Sequence, residues 1–314
     1  MQPVCYFVIP CYNESEVLPI SAPVLREKLS QLIADGRISE NSRVLFVDDG
    51  SGDDTWKLIA AMHKADRRFT GVKLAHNVGE QNAYYAGLAA AVKKADVMIT
   101  MDCDLQDDIN AVDEMLDRFA EGYEIVFGVR RRRDEDPAIQ RLSSAAFYRL
   151  MQLLKTDLIR EHSQYRLMSR RAVQELMEYP EVNLFLPALV MKLGLRHTVV
   201  LHDRHARAAG KSNYTPAKLV RLAVEAVTSF STAPFAFLTG AAVFSGVLFL
   251  VFFIAGIISG ARNGAFDVPM AVLGSVWLIA ALLFAGLRIL AEYVGKTYAE
   301  SKRRPRYHIE TELD

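Results

Sequence analysis

Four short polar clusters carry the residue types from which a reaction centre could be built: Tyr12, Asn13 and Glu14; Asp48 and Asp49; His76, Asn77 and Gly79; and Asp102, Asp104 and Gln106. Oxygen donors at the alternate positions 102, 104 and 106 suit a hard divalent cation, Mg2+ or Mn2+, which keeps coordination positions open for diphosphate oxygens. A lone Asp-x-Asp is usually a solvated acidic loop. Four clusters of acid and amide groups gathered along one edge would be a costly concentration of negative charge, and a cation relieves it. No Gly-x-Gly-x-x-Gly follows the first strand, and the phosphate-loop pattern Gly-x-x-x-x-Gly-Lys-Ser/Thr is absent, so neither a dinucleotide nor a phosphate-loop nucleotide is expected. A diphosphate held by metal without such a loop points to a nucleotide sugar.

The elements that must position these residues are short β-rich runs. VCYFVIP, RVLFVDD, TGVKLA and DVMITMD end at the four clusters, and helical patterns separate them: near residues 15 to 34, from Asp53, and from Gly79. Strands alternating with helices predict an α/β fold with a parallel, doubly wound sheet, whose ligands sit at the carboxyl ends of the strands.

Charge is balanced, 37 basic against 37 acidic residues, so no global field draws nucleic acid. The three cysteines lack metal-site spacing and read as reduced core thiols of a cytoplasmic domain. The N-terminal stretch lacks the basic region and apolar length of a signal peptide, so the first domain is expected to start in the cytoplasm. The apolar excess lies after residue 232. Ala233 to Ala261 and Val268 to Leu287 carry no charge, and each is long enough to cross a hydrocarbon core as a helix. Basic residues flank the pair on both outer sides, which predicts a two-helix membrane hairpin over 233–292 with both ends cytoplasmic. Between the soluble domain, 1–215, and the hairpin, residues 216–232 have the apolar stripe of an amphipathic helix lying on the membrane surface, and 293–314 form a cytoplasmic tail. Gly240 and Gly246 hint at close helix contacts and a homo-oligomer.

In combination, VIPCYNE, VDDGSGDDT, HNVGEQNAYYAGL, DCDLQDD, FGVRRRRD, YRLMSRRA, AGKSNY and the tail EYVGKTYAESKRRPRY resemble the family 2 glycosyltransferases of GT-A fold. The likeness is to the polyprenyl-phosphate branch: dolichol-phosphate mannose synthase, bactoprenol glucosyl- and N-acetylglucosaminyltransferases, and the aminoarabinose transferase. It implies a Rossmann-like, mostly parallel domain followed by the juxtamembrane helix and two spans. It further implies that Pro10, Tyr12, Glu14, Asp48 and Asp49 line the base and ribose of the donor, a UDP-sugar by preference. Asp102 would face the sugar, Asp104 and Gln106 would hold the metal, and Arg130 would meet donor phosphate. Gln164 and Arg166 would lie near the transferred group, with Arg141, Arg207 and Ser212 on the acceptor phosphate. The lipid-linked product would pass to a flippase and a lumenal or periplasmic transferase.

Two departures matter. Bactoprenol transferases commonly carry Asp, read as a catalytic base, where this chain has Gln164, and Asn213 stands where several have Lys. A glutamine takes no proton, but a phosphate nucleophile is mostly ionised at neutral pH and has none it must lose. The competing readings are a catalytically impaired, nucleotide-sugar-binding membrane scaffold, an aminoarabinose or mannose transferase of the same branch, and a processive synthase, whose extra spans and Gln-x-x-Arg-Trp are not visible.

Overall fold

The computed structural model describes residues 2–131, 162–181, 186–203 and 268–314, with single positions at 254 and 258. The expected interfacial helix, the first uncharged stretch, and Arg141, Arg207 and Ser212 lie outside the described residues. The chain divides into two compact units, Met1–Thr215 together with Arg304–Asp314, and Pro216–Arg303.

The first unit is built on a sheet of eight strands in the order β7-β5-β6-β4-β1-β2-β3-β8. The four expected runs form β1 (Cys5–Cys11), β2 (Arg43–Asp48), β3 (Phe69–Leu74) and β4 (Val97–Thr100), mutually parallel in the order β4-β1-β2-β3. Apolar runs this continuous belong to strands covered on both faces, and every side chain of β4 is buried. Helices α1 (Leu18–Ala34), α2 (Thr55–Ala65), α3 (Glu80–Ala91) and α4 (Ala111–Ala120) connect them or follow. The first helix begins at Leu18 rather than near residue 15, because residues 12–17 after β1 form a turn in which the Glu14 carbonyl accepts from Val17 and Leu18 at 3.0 Å each.

Beyond β4 the sheet is mixed. β5 (Ile125–Arg130) and β7 (His197–His202) pair in parallel, and β6 (His162–Ser169) inserts antiparallel between β4 and β5. Ser169 ends β6 and caps α5 (Arg170–Met177), accepting from the Ala172 N–H at 3.0 Å; α6 (Leu186–Lys192) follows. Alternation divides the core. Phe7, Ile9, Val44 and Phe46 face the helices of one side with Leu25, Leu29, Met115 and Leu116. On the other face α3 lies so close that a Cβ at Gly87 would stand 2.4 Å from Val8 and 2.7 Å from Val47.

The C-terminal residues were expected as a tail. Instead β8 (Ile309–Leu313) pairs antiparallel with β3 and closes that edge of the sheet, with Lys73–Glu310 and Lys94–Glu312 ion pairs of 2.9 and 3.0 Å alongside. In the second unit, α7 (Val268–Lys302) contains the whole of the second uncharged stretch in one helix of 35 residues. Among the described residues, no helix is long and apolar enough to cross a membrane.

Candidate active site

The polar clusters do converge at the carboxyl ends of β1 to β4, and the loops that carry them are stitched together by side chains. Asn13, in the left-handed region at φ 55°, accepts from the Gly52 N–H at 2.8 Å while its own N–H donates to Ser51 at 2.9 Å. Asp53 accepts from the Ser15 and Thr55 N–H groups and from the Thr55 hydroxyl. Burial opposes ionisation there, but these hydrogen bonds prevail and hold the Asp53 carboxyl down at about 2.

Pro10 is the penultimate residue of β1, in register with Val47, and Tyr12 is 46% exposed at the mouth of the edge. Asp48 is fully buried: one oxygen accepts from the Ser51 N–H at 3.1 Å, and the other has no hydrogen-bond partner among the described residues. Burial raises its carboxyl above the usual range, with the Ser51 hydrogen bonds opposing. Asp49 is differently occupied. Its oxygens accept from Asn77 Nδ2 at 3.0 Å and from the Val78 and Gly79 N–H groups at 2.8 and 3.0 Å, so this carboxylate braces the β3–α3 loop. Gly50, beside it, has φ 66° and leaves room for His76 and Asn77 to pass.

At the end of β4 the chain turns through Leu105 at φ 47°, which lets the Gln106 N–H reach back to Asp104 at 3.3 Å. Asp102 accepts from the Tyr84 hydroxyl at 2.7 Å. Burial raises its carboxyl; the Tyr84 hydrogen bond opposes this, and the neighbouring charges of Asp107 and Asp104 add to it. Arg130, at the end of β5, donates through Nε to Asp107 at 3.2 Å. It therefore already has an anionic partner beside Asp102. Among the described residues no group of three or more His, Cys, Asp or Glu stands ready to hold a metal, so Asp104 and Gln106 could supply only part of a coordination shell. All three cysteines are free and buried.

β6 brings the remaining pair. Gln164 and Arg166 are two apart, so they leave the same face of the strand, towards Tyr84, Leu186 and Val190. Arg166 is 1% exposed and pairs in register with Thr100, two residues before Asp102. Its Nη2 donates to Gln164 Oε1, and Nη1 has no partner among the described residues. Burial lowers the guanidinium to about 10, with Tyr84, Glu80 and Asp102 opposing, so it stays cationic at neutral pH. An arginine cannot accept, so the Gln164 amide must point its oxygen at Arg166 and has its NH2 left to donate.

Two residues here were not singled out from the sequence. Tyr84 and Glu80 belong to α3, whose inner face reads as ordinary core; their chemistry follows only from packing against β4. Glu80 is exposed by area at the helix start yet closely surrounded by protein, and that surrounding, then Asp102, raise its carboxyl, with Arg166 opposing.

Residues 6–177 match the model of glycosyl transferase family 2. The chain belongs to that family. YkoT of Bacillus subtilis, named an uncharacterised glycosyltransferase, is 42% identical over 99% of this chain and 93% of its own length. The bactoprenol glucosyl transferase of Shigella phage SfV is 31% identical over 97% of each chain, and the prophage bactoprenol glucosyl transferase homologue of Escherichia coli K12 is 32% identical over 96% and 97%. Among solved structures, glucosyl-3-phosphoglycerate synthase of Mycobacterium tuberculosis has a TM-score of 0.50 at 18% identity, covering 73% of this chain and 80% of that one. GalNAc-T7, solved with UDP, GalNAc and Mn2+, has a TM-score of 0.50 at 13% identity over 72% and 48%. The fold of this family 2 glycosyltransferase is thus the α/β, mostly parallel, GT-A-like sheet. Its reaction is glycosyl transfer.

Proposed function

We propose that this glycosyltransferase moves a hexose, glucose or N-acetylglucosamine, from a UDP-sugar to a polyprenyl phosphate at a membrane surface, inverting the anomeric carbon. The observation that carries the proposal is the meeting of Asp102, held by Tyr84, with the buried Arg166–Gln164 pair at one sheet edge. That edge can hold an activated sugar on its acidic side and a phosphate on its cationic side. Relatives named bactoprenol glucosyl transferases, matched over nearly their whole length, support the lipid acceptor.

On this reading Tyr12, Glu14 and Asp48 receive the base and ribose with Pro10, Asp49 keeps the 77–79 loop in place, and Arg130 stands near the donor phosphates. The fit for a divalent metal lies in the donor set: the carboxylates of Asp102, Asp104 and Asp107 gather at the end of β4, with Arg130 on Asp107. Asp104 and Gln106 would hold Mg2+ or Mn2+, which supplies charge neutralisation for the departing diphosphate. Arg166 offers Nη1, which has no partner among the described residues, to a phosphate oxygen, and Gln164 orients the acceptor by donating rather than by taking a proton. Arg141, Arg207 and Ser212 complete the acceptor side.

The membrane hairpin belongs to the same proposal. Its second helix would be the start of α7, where Val272, Val276, Ile279, Leu283 and Leu287 are exposed at spacings of three and four residues.

The test is transfer of labelled UDP- and GDP-sugars to undecaprenyl phosphate by detergent-purified protein with Mg2+ or Mn2+, read as label extracted into organic solvent, with Asp104→Ala as the blank. Label from one donor, abolished in the variant, supports the reading and names the sugar. Silence with every donor, including on dolichyl phosphate, defeats it; activity gained by Gln164→Asp would then identify an impaired transferase.

A further inference from the structure

The loop from Ala75 to Gly79 joins β3 to α3 beside the donor edge. Asp49 grips it from within. Its first end, and the helix α3 that follows it, are held from outside by one short segment, the residues that lead into β8. At the first end, the Ala75 N–H donates to the His308 carbonyl at 2.9 Å, where the β3–β8 register shifts between Lys73 and Leu74. In the middle of α3, the Arg306 guanidinium lies 4.2 Å from the centroid of the Tyr85 ring, and its Nη2 donates to the Tyr179 carbonyl at 2.5 Å. The Tyr307 ring tilts against Tyr85 at 6.4 Å, and the Tyr85 hydroxyl reaches the Met177 carbonyl at 3.4 Å.

The residue before Tyr85 is Tyr84, whose hydroxyl donates to Asp102, and the same helix begins with Glu80. A helix moves as a unit, so an anchor on Tyr85 limits where Tyr84 and Glu80 can go. Sheet closure alone needs only the main-chain ladder of β8. The cation over Tyr85 lies outside that ladder.

We propose that residues 306–309 form a strap that sets the β3–α3 loop and α3 for donor binding, with Arg306 as its positioning residue. Arg306 reaches the reaction through Tyr85 and α3 and touches no substrate. The inference rests on the reading of this edge as a nucleotide-sugar site.

Full-length protein carrying Arg306→Ala or Arg306→Lys tests it through donor KM, acceptor KM, thermal unfolding and amide hydrogen exchange over residues 75–85. Arg306→Ala is expected to raise the donor KM about tenfold, leave the acceptor KM within about twofold, and speed exchange over 75–85. Arg306→Lys, which keeps a cation over the ring, restores most of the loss. An unchanged donor KM with unchanged exchange overturns the strap. So does a loss that falls equally on donor and acceptor and follows a lowered unfolding temperature, since that is a stability effect. If the unsubstituted protein transfers no sugar, the proposed function itself fails; exchange and Mn2+–UDP binding, compared between the Arg306 variants, then decide the strap separately.

Discussion

Gln164 and Arg166 make a pair in which each depends on the other. Replacing Gln164 by Leu takes the acceptor from Nη2 of the buried guanidinium, which costs about 1–3 kcal/mol and should lower both the unfolding temperature and transfer. Gln164→Asp keeps the acceptor and retains the stability. Because an amide does not titrate, the rate of the unsubstituted protein should show no rise with pH attributable to position 164; a rate rise lost in Gln164→Asn but not in other variants would contradict this. Asp53 gives a second residue-level test. Its folded carboxyl lies at about 2, below the ordinary value, so its stabilisation is present above about pH 4 and fades as pH falls through about 2. Asp53→Asn should therefore unfold at a lower temperature than the parent at pH 7, and the gap should narrow with acid. Asp102, Asp104 and Asp48 were legible in the sequence because acids at strand ends stand out against apolar runs. Tyr84 was not, since a buried tyrosine inside an Ala-rich helix has no mark that separates a hydrogen-bonded hydroxyl from plain packing.

The elements show the same division. β1 to β4 were legible because each is an unbroken apolar run ended by polar residues, and their parallel order follows from the helices between them. β6 was not: HSQYRLMS opens with three polar residues and has no long apolar run, and nothing local says that it runs antiparallel between β4 and β5. Yet that insertion is what carries Arg166 to within two positions of Asp102. Glycines test how tightly the elements seat. Gly50→Ala would add a Cβ 2.5 Å from the His76 carbonyl carbon at φ 66°. Strain and overlap together should cost about 3 kcal/mol, read by thermal unfolding, with weakened nucleotide binding because the 76–79 loop is displaced. Gly87→Ala should loosen α3 from Val8 and Val47 and cost about 1–3 kcal/mol.

At the scale of the whole molecule, one chain holds a sheet-based unit of ordinary composition and a unit whose described helix exposes a long apolar stripe. Composition marked a boundary near residue 232, whereas the chain divides between Thr215 and Pro216. What composition could not reveal is that residues 304–314 rejoin the first unit, because five residues of a strand, IETEL, look like a polar tail until their partner is known. If the uncharged stretches cross a bilayer, the protein should stay in the membrane pellet through alkaline carbonate washing and leave it only with detergent; release by carbonate alone would argue for surface attachment. The pairing of β3 with β8 also bears on how the protein is made. Lys73 and Glu310 are 237 residues apart in the chain, so β3 leaves the ribosome long before its partner exists. Until then one edge of the sheet is bare and open to strands of other chains. A premature stop or a bulky fusion near residue 304 should therefore show first as aggregation during synthesis, before any effect on turnover.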